Sequence, residues 1–249
     1  PDEYYQTLEP AWKLAYGPES GAWITWEWQH QLRPSLHPVI FAAFYFVIDN
    51  AMATVSIFPQ FRAIITSVLP NIVQSIPAAA GDFFTFKLAQ RLYGYETHPT
   101  LAAYILSLLS PWQWFVSTRT FSNSLETSLT ICALYFWVWE FSVDSPAPTS
   151  ASKNAKKNEA SSTPERLFPD LKSVARVRYS LLAATAACIL RPTNILIWFC
   201  VFMPAVTKFL LGFASPTQSA SQSKGPTPGD YFVLVREAVL CVGLVAAAF

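Results

Sequence analysis

A cluster of ionisable side chains opens the chain. Asp2, Glu3, Glu9 and Glu27 stand among aromatic residues in the run PDEYYQTLEPAW and the tract TWEW, with Arg33 shortly after them. Carboxylates can act as proton acceptors, and a guanidinium offers a bidentate fork to an anion. Two further polar clusters lie far downstream in otherwise apolar sequence. One is TRTFSNSLET at 118–127, with Arg119, Asn123 and Glu126; the other is LRPTN at 190–194, with Arg191. Ionisable groups are costly beside hydrocarbon, so their retention there marks places where chemistry is expected. Each also has a plainer account. Acids keep connecting loops soluble, Asp2 suits a helix cap, Ser122-Asn123-Ser124 reads as an ordinary helix start, and Arg191 could snorkel to headgroups.

The sequence around these clusters is that of a membrane protein. Of 249 residues, 52% are hydrophobic, 15% aromatic and 13% charged, whereas soluble domains average about 25% charged. A net charge of +1 offers no basic face for nucleic acid. Cys132, Cys188, Cys200 and Cys241 sit in apolar runs without CxxC spacing, and the histidines are scattered. No metal site or disulfide frame is expected from them. With Pro1 at one end and an apolar run at the other, the chain is expected to be a piece of a longer membrane protein.

The elements that must position these groups read as helices throughout, giving an all-α, polytopic membrane fold. Residues 1–63 form an acidic first loop. Within it, Glu3 to Tyr16 carries Tyr5, Leu8, Trp12 and Tyr16 at helical spacing, which predicts an amphipathic helix on a membrane surface, stopped by Gly17-Pro18. Trp23, Trp26 and Trp28 suit the headgroup level. The run from His37 to Ile48, closed by Asp49-Asn50, looks too short to cross hydrocarbon about 30 Å thick. Residues 64–141 should hold three spans: Ile64–Leu88 with Pro70 and Pro77, Thr100–Val116 with Pro111, and Ser124–Phe141. Residues 142–176 turn abruptly to Ser, Pro, Thr and Lys and are expected to be a disordered basic loop. Two short spans flank Arg191 in 177–211, a polar linker covers 212–230, and a last span fills 231–249.

The excess of lysine and arginine puts the basic loop on the cytoplasmic side. Counting spans back from it gathers the three polar clusters on the opposite side, provided that His37–Ile48 does not cross. Clusters so far apart in sequence have no structural need to share a face, so their convergence would mark a site.

The ordered motifs PDEYYQTLEPAW, TWEW, LR at 32–33, TRTFSNSLET and LRPTN together resemble glycosyltransferase family 22, over nearly the whole chain except the Ser/Lys-rich loop. Among its members, the closest likeness is to those that build the glycosylphosphatidylinositol (GPI) anchor. The family motif is His-Pro-Asp-Glu, which begins here at its proline, and Leu32-Arg33-Pro34-Ser35 stands where relatives often read Leu-Arg-Ser. The resemblance implies a GT-C-like fold in the endoplasmic reticulum membrane with a lumenal, amphipathic first loop. It implies metal-independent, cofactor-free transfer of mannose from dolichyl-phosphate mannose to a GPI lipid precursor, adding the third mannose in α-1,2 linkage with inversion. The implied base is Asp2, with Glu3 as its alternate or as a ligand for acceptor hydroxyls. Arg191, Arg119, Arg33 and His37 are candidate ligands of the donor phosphate. Glu9, Trp26, Glu27, Asn123 and Glu126 are candidate sugar or acceptor contacts. Two other readings remain open: a family member acting on lipid-linked oligosaccharide or adding the fourth GPI mannose, and a membrane transporter with broken helices.

Overall fold

A computed structural model of the protein describes residues 2–95, 97–142, 171–214 and 228–248. These residues are helices joined by short turns. Most of the expected basic loop and of the polar linker lies outside them, at 143–170 and 215–227. Two compact units are formed, one of Pro1–Tyr135 with Ala186–Pro192 and the other of Phe136–Thr185 with Thr193–Phe249.

In the first unit, Asp2 and Glu3 begin a helical turn that widens into a π-helical turn at Tyr4–Leu8 and continues as α1, Glu9–Tyr16. Pro10 sits in the first turn of α1, and because the helical run is already under way before it, its missing N–H leaves a carbonyl of the preceding turn without an intrahelical donor. Gly17, at φ +86°, ends the helix in a backbone region that a Cβ disfavours. Part of the apolar stripe of α1 is spent on protein, while Tyr5 and Leu14 stay exposed. Ala11, Trp12 and Tyr16 pack on Phe41, Ala42 and Tyr45 of α3, Leu36–Thr54. Trp12 meets Tyr45 edge-on at 5.4 Å, a favourable arrangement of ring quadrupoles.

Helix α3 runs on through Asp49-Asn50, which had read as its stop. The Asp49 carboxylate is met by both arms of the Arg62 guanidinium in α4, Pro59–Tyr93. At 19 residues α3 is long and apolar enough to cross a membrane, which corrects the expected short run. Helix α4 continues for 35 residues through Pro70 and Pro77, about 52 Å at 1.5 Å per residue.

Pro111 behaves differently. Ser110 before it is extended, with ψ 109°, and its hydroxyl accepts the Gln113 N–H at 3.2 Å. A cap residue followed by proline is a ready helix start, and it splits the expected second span into α5, His98–Leu109, and α6, Pro111–Ser117. The expected third span ends early as well. Helix α7, Ser122–Phe136, has 15 residues, a rise of about 22 Å. Of the three spans expected in 64–141, only α4 has the length to cross.

Helix α8 spans Leu171–Leu190, with residues 171–185 in the second unit and 186–190 in the first, and α9 spans Ile195–Ala214 in the second unit. Residues 171–176, read as loop, are therefore helical, and the two arms around Arg191 are not short. Both contain stretches long and apolar enough to cross a membrane. Trp137 and Phe141 are fully buried here, and the Trp137 indole N–H donates to Ser142 Oγ at 2.9 Å. Helix α10, Pro228–Ala248, is not among the four spanning candidates. It carries Arg236 and the fully buried Glu237, whose carboxylate accepts from Arg178 and from Arg236. Elsewhere α3, α4, α5 and α9 expose large apolar side chains such as Phe46, Ile76, Leu106 and Phe199, as a surface in contact with lipid requires.

Where α4 meets α7, a Cβ added to Gly81 would lie 2.9 Å from Ser128 Oγ and 3.4 Å from its Cβ. Small residues let membrane helices approach this closely. Gly81→Leu should therefore destabilise the full-length protein by about 1–3 kcal/mol, read as a lower melting temperature in detergent. Gly81→Ala combined with Ser128→Ala should recover most of the loss.

Candidate functional site

The opening turn is fixed from several directions. Glu3 is 7% exposed, and its Oε1 accepts from the Arg119 guanidinium of the α6–α7 turn at 2.5 Å. Arg119 lies over the Phe115 ring, 4.5 Å from its centroid, so its flat face is covered while its edge binds the acid. The Trp28 indole N–H donates to the Tyr5 carbonyl at 3.1 Å, and Glu9 Oε2 accepts the Trp23 backbone N–H at 2.8 Å. Asp2, by contrast, is exposed and makes no ion pair among the described residues.

Two cavities flank this turn within the first unit. The larger, about 1090 Å³, is lined by Glu3, Glu9 and Asp49, by Arg62 and Arg119, and by the rings of Trp12, Tyr16 and Tyr45. Carboxylates beside aromatic faces suit a polyhydroxylated ligand, since rings cover the apolar faces of sugars and acids accept from their hydroxyls. The smaller cavity, about 450 Å³, is lined by Gln6, Glu27, Trp28, Arg33, His37, Asn123 and Arg191, among others. Two guanidiniums therefore edge it, drawn from residues far apart in the chain. Arg33 is held by Glu27 through Nε at 2.5 Å and through Nη2 at 3.3 Å. The same contact keeps the Glu27 carboxyl below the usual carboxylate range, so the pair stays ionised at neutral pH and weakens only as pH falls through that lowered value. Arg191 follows the last residue of α8 and faces Glu126 at 3.9 Å, with 48% of its side chain exposed.

The sequence-derived candidates thus divide. Arg33, His37, Glu27, Asn123 and Arg191 share the smaller cavity; Glu3, Glu9 and Arg119 share the larger one. Asp2 and Trp26 line neither, and Trp26 is 62% exposed. His37, expected to touch a phosphate, is 2% exposed and has its Nδ1 committed to the Thr7 hydroxyl at 3.1 Å. Arg119, expected to do the same, is committed to Glu3. The residues that sequence reasoning missed are Thr7, Gln74 and the Asp49–Arg62 pair. Their only sequence signal was a polar residue on the inward face of an apolar helix. Among the described residues, no three His, Cys, Asp or Glu side chains gather in a way that could hold a metal ion.

Comparison with known proteins agrees with the helical architecture and the motifs. Residues 1–217 match the family described as the Alg9-like mannosyltransferase family. A GPI mannosyltransferase 3 of Gibberella zeae is 41% identical over 247 residues, covering 99% of this chain and 37% of that protein. Its counterpart in Aspergillus fumigatus is 47% identical over 198 residues, 80% of this chain and 25% of that protein. The one from Schizosaccharomyces pombe is 34% identical over 201 residues, 80% of this chain and 33% of that protein. No solved structure matches. The chain spans about a third of the length of the curated relatives it matches. Because the family match runs through both cavities and across both units, the chain belongs to the Alg9-like mannosyltransferase family.

Proposed function

We propose that the protein to which this chain belongs transfers mannose from dolichyl-phosphate mannose to a GPI-anchor precursor. It adds the third mannose in α-1,2 linkage, with inversion, on the lumenal side of the endoplasmic reticulum membrane. The observation that carries this reading is the likeness to several fungal proteins named GPI mannosyltransferase 3, one of which aligns with 99% of the chain. The division of charge between the two cavities supports it. An acid-rich, aromatic cavity suits a glycan acceptor, and a cavity edged by Arg33 and Arg191 suits the phosphate of a lipid-linked donor.

In the proposed reaction, an acceptor mannose hydroxyl attacks the anomeric carbon from the face opposite the phosphate. Asp2 takes the hydroxyl proton as the new C–O bond forms, and the bond from the anomeric carbon to the phosphate oxygen breaks. Dolichyl phosphate leaves with the bonding electrons, and its charge is met by Arg191 and Arg33. Glu3 and Arg119 act as a pair: one Glu3 oxygen is already engaged by the guanidinium, which leaves the exposed Asp2 as the carboxylate open to a substrate proton. Glu9, Glu27 and Asn123 would contact sugar hydroxyls from the cavity walls, and Glu126, which lines neither cavity, from beside Arg191.

Three outcomes test this in the full-length protein. Asp2→Asn should lower mannose transfer by about 10²–10⁴-fold with protein level and membrane insertion intact; near-normal transfer removes Asp2 from the mechanism. Arg191→Gln should raise the donor KM by about 10–100-fold, the worth of one charge-assisted hydrogen bond, whereas Arg119→Gln should lower kcat with little change in donor KM. Cells lacking the protein should accumulate a GPI precursor bearing two mannoses. A truncated dolichol-linked oligosaccharide would assign the protein to a different acceptor.

A further inference from the structure

The turn that bears the carboxylates departs from regular helix. Tyr4–Leu8 is π-helical, between Asp2-Glu3 and α1. Such turns are rare, widen the helix and re-aim the residues around them. One turn of this kind needs support from outside its own backbone, and two of its supports are the Arg119–Glu3 and Trp28–Tyr5 contacts.

A third is deeper. Thr7, His37 and Gln74 are 1%, 2% and 2% exposed, and they come from the π turn, α3 and α4. They meet beside Phe41, whose ring lies 5.0 Å from that of His37. The Thr7 hydroxyl lies 3.1 Å from His37 Nδ1, and the Gln74 side chain lies close to the imidazole. As the amide is oriented, however, His37 Nε2 and Gln74 Nε2 are both buried without a partner. With the ring proton on Nε2, both groups are donors and neither can satisfy the other.

We propose that Thr7, His37 and Gln74 form one hydrogen-bonded chain that locks the π turn and thereby aims Asp2 and Glu3, with His37 as a positioning residue. The Thr7 O–H donates to Nδ1, which leaves the ring proton on Nε2. A half-turn of the Gln74 amide then presents Oε1 to accept it. The chain ties the opening turn to both α3 and α4, so the carboxylates inherit the rigidity of two long helices. Its catalytic consequence rests on the mannosyltransferase reading, whereas the lock itself does not.

The test uses full-length protein in microsomes, with dolichyl-phosphate mannose as donor, and amide hydrogen exchange on the detergent-purified protein. Thr7→Val keeps the side-chain shape and removes the O–H. It should raise exchange in residues 4–8 by about tenfold while leaving 9–16 unchanged, and lower kcat by a similar factor with donor KM unaltered. Thr7→Ser should restore both, and Gln74→Leu should reproduce the exchange effect from the far end of the chain. Wild-type exchange in Thr7→Val overturns the proposal, as does a raised donor KM at unchanged kcat, which would make His37 a phosphate ligand. If exchange responds as expected but wild-type protein transfers no mannose, the lock stands and the mannosyltransferase reading falls.

Discussion

An ion pair between residues 116 positions apart, Glu3 and Arg119, sets the geometry of the first unit. A buried carboxylate keeps its charge only where a cation replaces the water it has lost, and removing either partner strands the other. The pair therefore brings the start of the chain to the α6–α7 turn whatever the path of the helices between. The same demand recurs across this unit: Glu27 is held by Arg33, Asp49 by Arg62 and Glu126 by Arg191. Each acid is met by a guanidinium, the cation whose planar fork and constant charge suit sites poor in water. Charges in an apolar protein have few places to go, and pairing them settles which loops and helix ends must meet.

That pairing also separates two kinds of arginine. Arg119 has its face on Phe115 and its edge on Glu3. Arg191 reaches its acid only at 3.9 Å and stays about half exposed at the edge of a cavity. A guanidinium carries five N–H donors, so, with Arg119 and Arg191 similarly exposed at 40% and 48%, the loosely held one retains more donors for an incoming anion while the closely held one works by fixing its partner. The sequence offered both as equal candidates for phosphate, because a residue type and its apolar flanks say nothing about which acid lies opposite.

The helical, membrane-embedded character was legible from composition, and the stretches rich in ionisable groups were legible as clusters. Element ends were not. Asp49-Asn50 read as a stop because a bare aspartate ends an apolar run, but Arg62, 13 residues on, neutralises it and lets α3 continue. Pro111 and Pro70 are the same residue type in similar surroundings. Only the first follows a serine able to cap a new helix, and that neighbour decides whether the chain breaks. The likeness to family 22 named the acidic motif, but no periodicity could show that His37 would be buried among Thr7, Phe41 and Gln74 at the wall of the smaller cavity. The contacts with Thr7 and Gln74 span 30 residues or more, a distance at which one sequence holds no signal of who touches whom.

The neighbours Asp2 and Glu3 then illustrate how one helical turn can give two acids different work. Adjacent helical residues point about 100° apart, so a turn that buries Glu3 against Arg119 leaves Asp2 directed elsewhere and exposed. An exposed carboxylate is an ordinary base in water. In the proposed reaction it becomes an effective one when a bound glycan displaces that water and holds the attacking hydroxyl at hydrogen-bond distance. Such a base must also be stationary. Position within a fraction of an ångström governs how much of the barrier is removed by orientation, which is why the contacts behind the turn matter as much as the carboxylate in front of it.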